Sequence, residues 1–207
     1  MEGLYRLHPL PLVAALLFCQ LGFSVQRSNR AEESDALVQS LYRQVLARHP
    51  TGLPRGADMK VFAPYLSKRL IHRIKLANAC ARDWVQQDQK RMLMSNQIPE
   101  KAPFGWAESG IFSGAYERTE PDAFVIKRTE AGKNDSVRVY VRLTLSSPPA
   151  ETWDVEVVLV MGDGHLVVDD VIYLKDKSND HDLRLSKLLS EGCDGSRWVG
   201  FPDAKNR

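Results

Sequence analysis

The sequence predicts an α+β fold, with N-terminal helices packed on a curved antiparallel sheet of four to five strands and a short C-terminal helix. Three observations predict it. Apolar residues recur at helical spacing from Leu37 to about Gln89. From Ser109 onward they alternate with a period of two. The strand-like segments follow one another too closely for the crossover helices that a parallel sheet requires.

Composition narrows the function classes. A chain of 207 residues suits one domain with a sizeable core. Its 43% hydrophobic and 26% charged residues exclude a collagen, a disordered tail and a polytopic membrane protein. With 28 Lys+Arg against 26 Asp+Glu, the net charge of +2 is too small for nucleic acid to be the main partner.

Residues 1–24 read as a signal peptide. Arg6 precedes an apolar run from Leu10 to Phe23, short of the roughly 18–20 residues of a membrane-spanning helix. Gly22-Phe23-Ser24 offers small residues for cleavage after Ser24. The rivals are an uncleaved anchor and lipid attachment at Cys19, which the bulky Phe18 disfavours. Residues 25–33 form a polar leader, 34–200 the domain and 201–207 a C-terminal tail. The predicted location is exported, periplasmic or secreted, with the membrane involved only through the export signal.

The elements follow in order. Leu37, Val38, Leu41, Tyr42, Val45 and Leu46 predict a first helix, started by a Ser34 or Asp35 cap and ended by His49-Pro50-Thr51-Gly52. Leu66, Leu70, Ile74, Ala77, Ala81, Trp84 and Val85 mark the buried face of a second, Ala63 to Gln89, with Ser67 capping a fresh start. Residues 92–110 lack periodicity and form a long loop, part of which packs down through Phe104 and Trp106. Strands are predicted at Ile111–Glu117, Ala123–Thr129, Val137–Leu145, Trp153–Met161 and Leu166–Leu174. Gly162-Asp163-Gly164 signals a tight hairpin. Leu185, Leu188 and Leu189 form a short helix stopped by Gly192.

Four segments carry a family resemblance: FAPYLSKRLIHRIKLANACARDW (62–84), GIFSGAYE (110–117), WDVEVVLVMGDGHLVVDDVIY (153–173) and LLSEGCDGSRWVG (188–200). Together they resemble a bacterial family of exported proteins with a domain of unknown function, within the nuclear transport factor 2-like superfamily. The resemblance implies a cone, a curved sheet wrapped on helices with a pocket at its open end. It implies no reaction, since that superfamily mixes enzymes with binding and scaffold proteins.

Cys80 and Cys193 are candidates for a disulfide if the domain is exported. The bridge would close a loop of 113 positions, and its rivals are a free thiol pair or a metal site, the latter disfavoured by the lack of a second pair. Asp169 and Asp170 are the candidate catalytic carboxylates. As neighbours in a strand they should point to opposite faces, one of them toward the helices or the pocket. Burial there would suit a carboxylate to general acid–base work, as in related cone-shaped isomerases. The alternative is a structural carboxylate bonded to backbone or arginine. Arg138, Arg142, Asp154 and Glu156 share polar faces, with Arg142 expected near Glu156, as an anion-binding patch or, preferably, a cross-strand ion-pair ladder.

Trp84, Phe104, Trp106, Tyr116 and Tyr140 could line a pocket mouth, although regularly spaced aromatics usually serve a core. No His pair has metal-ligand spacing, no cofactor motif is present, and Asn134-Asp135-Ser136 matches a short glycosylation triplet. The favoured reading is an exported, non-enzymatic binding or interaction domain, monomeric or homodimeric, for an unknown small molecule or protein. Its ligand would sit at the open end, under the 92–110 loop. The alternatives are a small-molecule isomerase or hydrolase using Asp169 or Asp170, and an immunity or inhibitor protein binding an exported toxin. An exposed apolar patch around Phe104 and Trp106 would favour the last.

Overall fold

The computed structural model describes residues 12–95, 98–115, 120–174 and 182–201. Residues 1–11 of the predicted signal and 202–207 of the predicted tail lie outside them, as do Tyr116, His8 and His181. The architecture is α+β. Helix α1 spans Leu12–Arg48, α2 Gly56–Phe62 and α3 Lys68–Ser95. Strands β1 (Ala123–Ala131), β2 (Val137–Leu145), β3 (Glu151–Gly162), β4 (His165–Tyr173) and β5 (Leu183–Arg184) form an antiparallel sheet in sequence order. Helix α4 (Leu185–Leu188) and a small hairpin, β6 (Cys193–Asp194) with β7 (Arg197–Trp198), close the chain.

Helix α1 runs through the predicted polar leader, because neither Pro nor Gly interrupts the chain between Phe23 and Arg48. Ser34 therefore sits inside the helix. It caps nothing, and its hydroxyl donates back to the Arg30 carbonyl at 2.6 Å. The helix ends as expected, with His49 in the left-handed region ahead of Pro50. Among the described residues, no helix is long and apolar enough to cross a membrane.

The predicted second helix is divided. Pro64 opens a single 3-10 turn, Ala63–Tyr65, after α2. Leu66 is extended and bridges to Val168 of β4. Ser67 then starts α3 by accepting the Leu70 amide at 2.9 Å, as its cap role predicts. Leu70, Ile74, Ala77, Cys80 and Trp84 form the buried face, while Val85 turns outward and is 43% exposed.

Val139, Val141 and Leu143 of β2, Val155, Val157 and Leu159 of β3, and Val168 and Val171 of β4 are fully buried. They pack against Val38, Leu41 and Tyr42 of α1 and Leu70 and Ile74 of α3. Glu151 pairs with Leu145, so β3 begins earlier than expected and the register moves by two residues. A shift of two preserves the faces but changes the partners. Arg142 thus pairs with Asp154, at 2.7 and 2.8 Å, and Arg138 with the buried Glu156. Asp163 and Gly164, both at positive φ, make the predicted two-residue hairpin turn between β3 and β4.

Residues 111–115, predicted as the start of a strand, form a turn instead. Gly114, at φ +69°, donates its N–H to the Gly110 carbonyl at 2.7 Å. Three consecutive carbonyls of this turn are capped by aromatic donors from three elements. Tyr173 donates to Ile111 at 2.7 Å, Tyr42 to Phe112 at 2.8 Å and Trp153 to Ser113 at 2.7 Å. Burial pushes the hydroxyls of both tyrosines well above their ordinary range, so both keep the proton that they donate to these carbonyls.

The Sγ atoms of Cys80 and Cys193 are bonded, with Cα atoms 6.1 Å apart. The bridge ties the terminal hairpin to α3. Asp83 of the same helix accepts the Trp198 amide at 2.8 Å, and Trp198 packs edge-on to Phe104. Cutting a link that closes 113 positions should lower stability by about 2–4 kcal/mol. Urea unfolding of a Cys80→Ser/Cys193→Ser double variant measures this, and an unchanged midpoint would show that the bridge does not constrain the unfolded chain.

Candidate functional site

An open cleft of about 920 Å³ lies on the sheet face turned away from α1. A β-bulge shapes it. Val158 pairs with Asp170 and Leu159 with Val168, which leaves Asp169 without a partner on β3. The extra residue resets the alternation of β4. Leu166, Val168 and Val171 all face the helices, while Asp169 and Asp170 both line the cleft. The expectation that these neighbours point to opposite faces holds for a regular strand and fails at a bulge.

Both carboxylates are buried, and both are held by the chain's own donors. Asp169 accepts from the Ser67 hydroxyl at 2.7 Å, from Arg69 Nε at 2.9 Å and from Arg69 Nη2. Asp170 accepts from the Ser186 hydroxyl at 2.7 Å and the Ser186 amide at 2.9 Å, from the Val171 amide at 3.0 Å and from Arg184 at 3.5 Å. A carboxylate offers about four acceptor positions. Asp170 fills all of them and Asp169 three. These side chains work as brackets that hold α3, β5 and α4 to β4.

The floor between the brackets and the β3–β4 turn is apolar, made by Val158, Val160 and Val167. The rim is charged. Lys68 pairs with Asp163 at 2.8 Å and holds its carboxyl below the usual range. The β1–β2 turn contributes Lys133, Asn134 and Ser136, and α3 contributes Arg73. Arg73 also borders a smaller pocket of about 260 Å³ beside Cys193.

The aromatic residues expected at a pocket mouth are elsewhere. Trp84, Phe104 and Trp106 belong to the core, with the Phe104 and Trp106 rings stacked 4.9 Å apart. Phe104 is only 6% and Trp106 only 4% exposed, whereas Phe201, packed on the other side of Trp198, is 43% exposed. Tyr140 lies on the outer sheet face beneath Arg128, whose guanidinium carbon is 3.6 Å from the ring centre. It does not line the cleft. The ladder beside it is structural, with Arg142 holding the Asp154 carboxyl below its usual range. Among the described residues, no group of three or more His, Cys, Asp or Glu side chains is placed to hold a metal.

A second polar group sits by the 110–115 turn. Glu120 receives a 3.4 Å bond from the fully buried Ser113. Burial pushes the Glu120 carboxyl up, against the opposing pull of His49 and Ser113. The sequence carried no periodic signal for this residue, nor for Arg69, Arg184 or Ser186. The one available clue was the charged doublet itself, since an Asp-Asp pair inside VVDDVIY cannot alternate without sending a carboxylate into the core.

No known family model, curated protein or solved structure matches the chain, so its site is read from its own geometry.

Two outcomes are expected of variants. Ser67→Ala removes both the α3 cap and a donor to Asp169, and should cost about 1–3 kcal/mol in thermal or urea unfolding. Ser67→Thr, which keeps the hydroxyl, should cost less. Glu120 has a folded-state pKa above its unfolded value, so its contribution is complete below the ordinary glutamate range and is lost as pH rises through the raised value. Stability of Glu120→Gln relative to the parent should therefore grow as pH rises above the ordinary glutamate range. A difference that does not vary with pH would uncouple this ionisation from folding.

Proposed function

We propose that this chain is an exported binding domain of the nuclear transport factor 2-like kind, and that its ligand is a small molecule held in the cleft on the outer face of the sheet. One observation carries the reading: a cleft of about 920 Å³, within the size range of ligand sites, whose two buried carboxylates are occupied by the chain's own donors. An enzyme of the isomerase or hydrolase type needs a base with a free lone pair next to a second converging polar group. Asp170 has none free, and Asp169 spends three of its positions on Ser67 and Arg69. Such a site is suited to holding a molecule, with rigid polar brackets around an apolar floor.

Export is supported by the apolar N-terminal run and by the Cys80–Cys193 bond, which an oxidising compartment favours. Helices that precede and pack on an antiparallel meander support the superfamily assignment. Tyr42, Phe62 and Phe112 are fully buried in the core between helices and sheet, which supports a ligand on the outer face instead.

The test is native mass spectrometry and a crystal structure of the full chain isolated from the envelope fraction of its own cells. A small molecule in the cleft is the expected result. An empty cleft after such isolation, together with turnover that vanishes in Asp169→Asn, would replace the binding reading with the enzymatic one.

A further inference from the structure

The charges on the cleft do not balance, and the imbalance has a place. Each anion has a cation: Asp163 is met by Lys68, Asp169 by Arg69 and Asp170 by Arg184. Two further cations line the same cleft, Arg73 and Lys133. Neither has an ion pair or side-chain hydrogen bond among the described residues. They come from different elements, Arg73 from α3 and Lys133 from the β1–β2 turn, and the half-buried valines Val158 and Val160 lie on the floor of the same cleft.

From this arrangement we infer that the ligand is an amphiphilic anion, a small free molecule with an apolar body and a carboxylate or similar acidic group. The apolar body is recognised by the valine floor, which has no aromatic cover and no polar atom of its own to satisfy. The acidic group is drawn by the two uncompensated cations, for either of which an incoming anion is the missing partner. A cationic or neutral ligand of the same shape would leave both unpaired, so the rim discriminates by charge. The concave shape suits a free amphiphile. This inference rests on the cleft being a binding site and specifies what enters it.

The experiment compares three tail-matched probes, decanoate, decanol and decyltrimethylammonium, with inorganic phosphate as a headgroup without a tail. Calorimetry on the full chain gives affinity, and the methyl resonances of Val158, Val160 and Val167 report whether the cleft is the site. Decanoate should bind at the cleft, weaken with added salt, and exceed the other probes by about tenfold or more. Arg73→Gln and Lys133→Gln should each weaken decanoate by about five- to tenfold. Neither side chain makes an ion pair or side-chain hydrogen bond among the described residues, and Gln keeps most of the aliphatic stem, so the melting temperature of both variants should stay close to the parent's.

Equal binding of all three tails, phosphate binding as tight as decanoate, or an unchanged decanoate affinity in the Arg73→Gln/Lys133→Gln double variant would overturn the inference. Decanol or decyltrimethylammonium bound at the cleft in preference to decanoate would also overturn it, while leaving the binding-domain reading intact. Silence of the floor methyls toward every probe would overturn the inference; together with an empty cleft in protein isolated from the envelope, it would overturn both readings.

Discussion

Ser67 is the joint on which the molecule turns. Its amide donates to the Val168 carbonyl at 2.8 Å, its hydroxyl donates to Asp169, and the same oxygen accepts the first-turn amide of Leu70. One residue thus starts α3, fastens it to β4 and satisfies a buried carboxylate. The bond to Val168 matters for the sheet as well. Among the described residues, β5 pairs with Ile172 and Tyr173 alone, at one end of β4. Leu66 and Ser67 cover part of the β4 edge with backbone of their own, which protects it from pairing with another chain. The direction of α3, and with it the positions of Arg69 and Arg73, follows from where this joint is made.

The sheet and the helices it carries were legible in the sequence because their signals are local. The alternation from Val137 to Leu145 and the Asp163-Gly164 turn needed no tertiary information. The bulge was not legible. Val168 and Val171 are three apart and both face the core, which an inserted residue reconciles with a period of two, but Val167 and Ile172 are apolar as well, so the sequence allows unbroken alternation too. Once the insertion is placed, both Asp169 and Asp170 go to the cleft. The candidate pair was therefore correctly singled out, but its geometry depended on a pairing defect that composition does not announce.

The turn at 110–115 and the aromatic cluster failed for a different reason. GIFSGAYE alternates well enough to pass for a strand, but the carbonyls of Phe112, Ser113 and Ile111 are claimed by Tyr42, Trp153 and Tyr173, which lie 70, 40 and 62 positions away. Those donors satisfy three carbonyls that a strand partner would otherwise bind. Trp84, Phe104 and Trp106 were open to two readings, mouth or core. The terminal hairpin decided for core, because the Cys80–Cys193 bond and Asp83 bring Trp198 onto Phe104. Long-range closure of this kind is invisible to any local pattern.

The buried carboxylates make most sense as geometry. Removing a charge from water is expensive, and a buried ion pair often only breaks even against an apolar substitute of the same shape. Asp169 and Asp170 are therefore poor candidates for the source of the fold's stability. What they do fix is where other groups point. Asp169 draws Arg69 down onto the sheet, and Asp170 draws Arg184 and the start of α4. Had those arginines been free, the cleft would be a diffuse cationic surface, attractive to any anion and selective for none. With them tied down, the uncompensated charge is confined to Arg73 and Lys133, and the valine floor lies open in the same cleft. Two carboxylates held by the chain's own donors in this way decide which charged groups stay unpaired at the cleft.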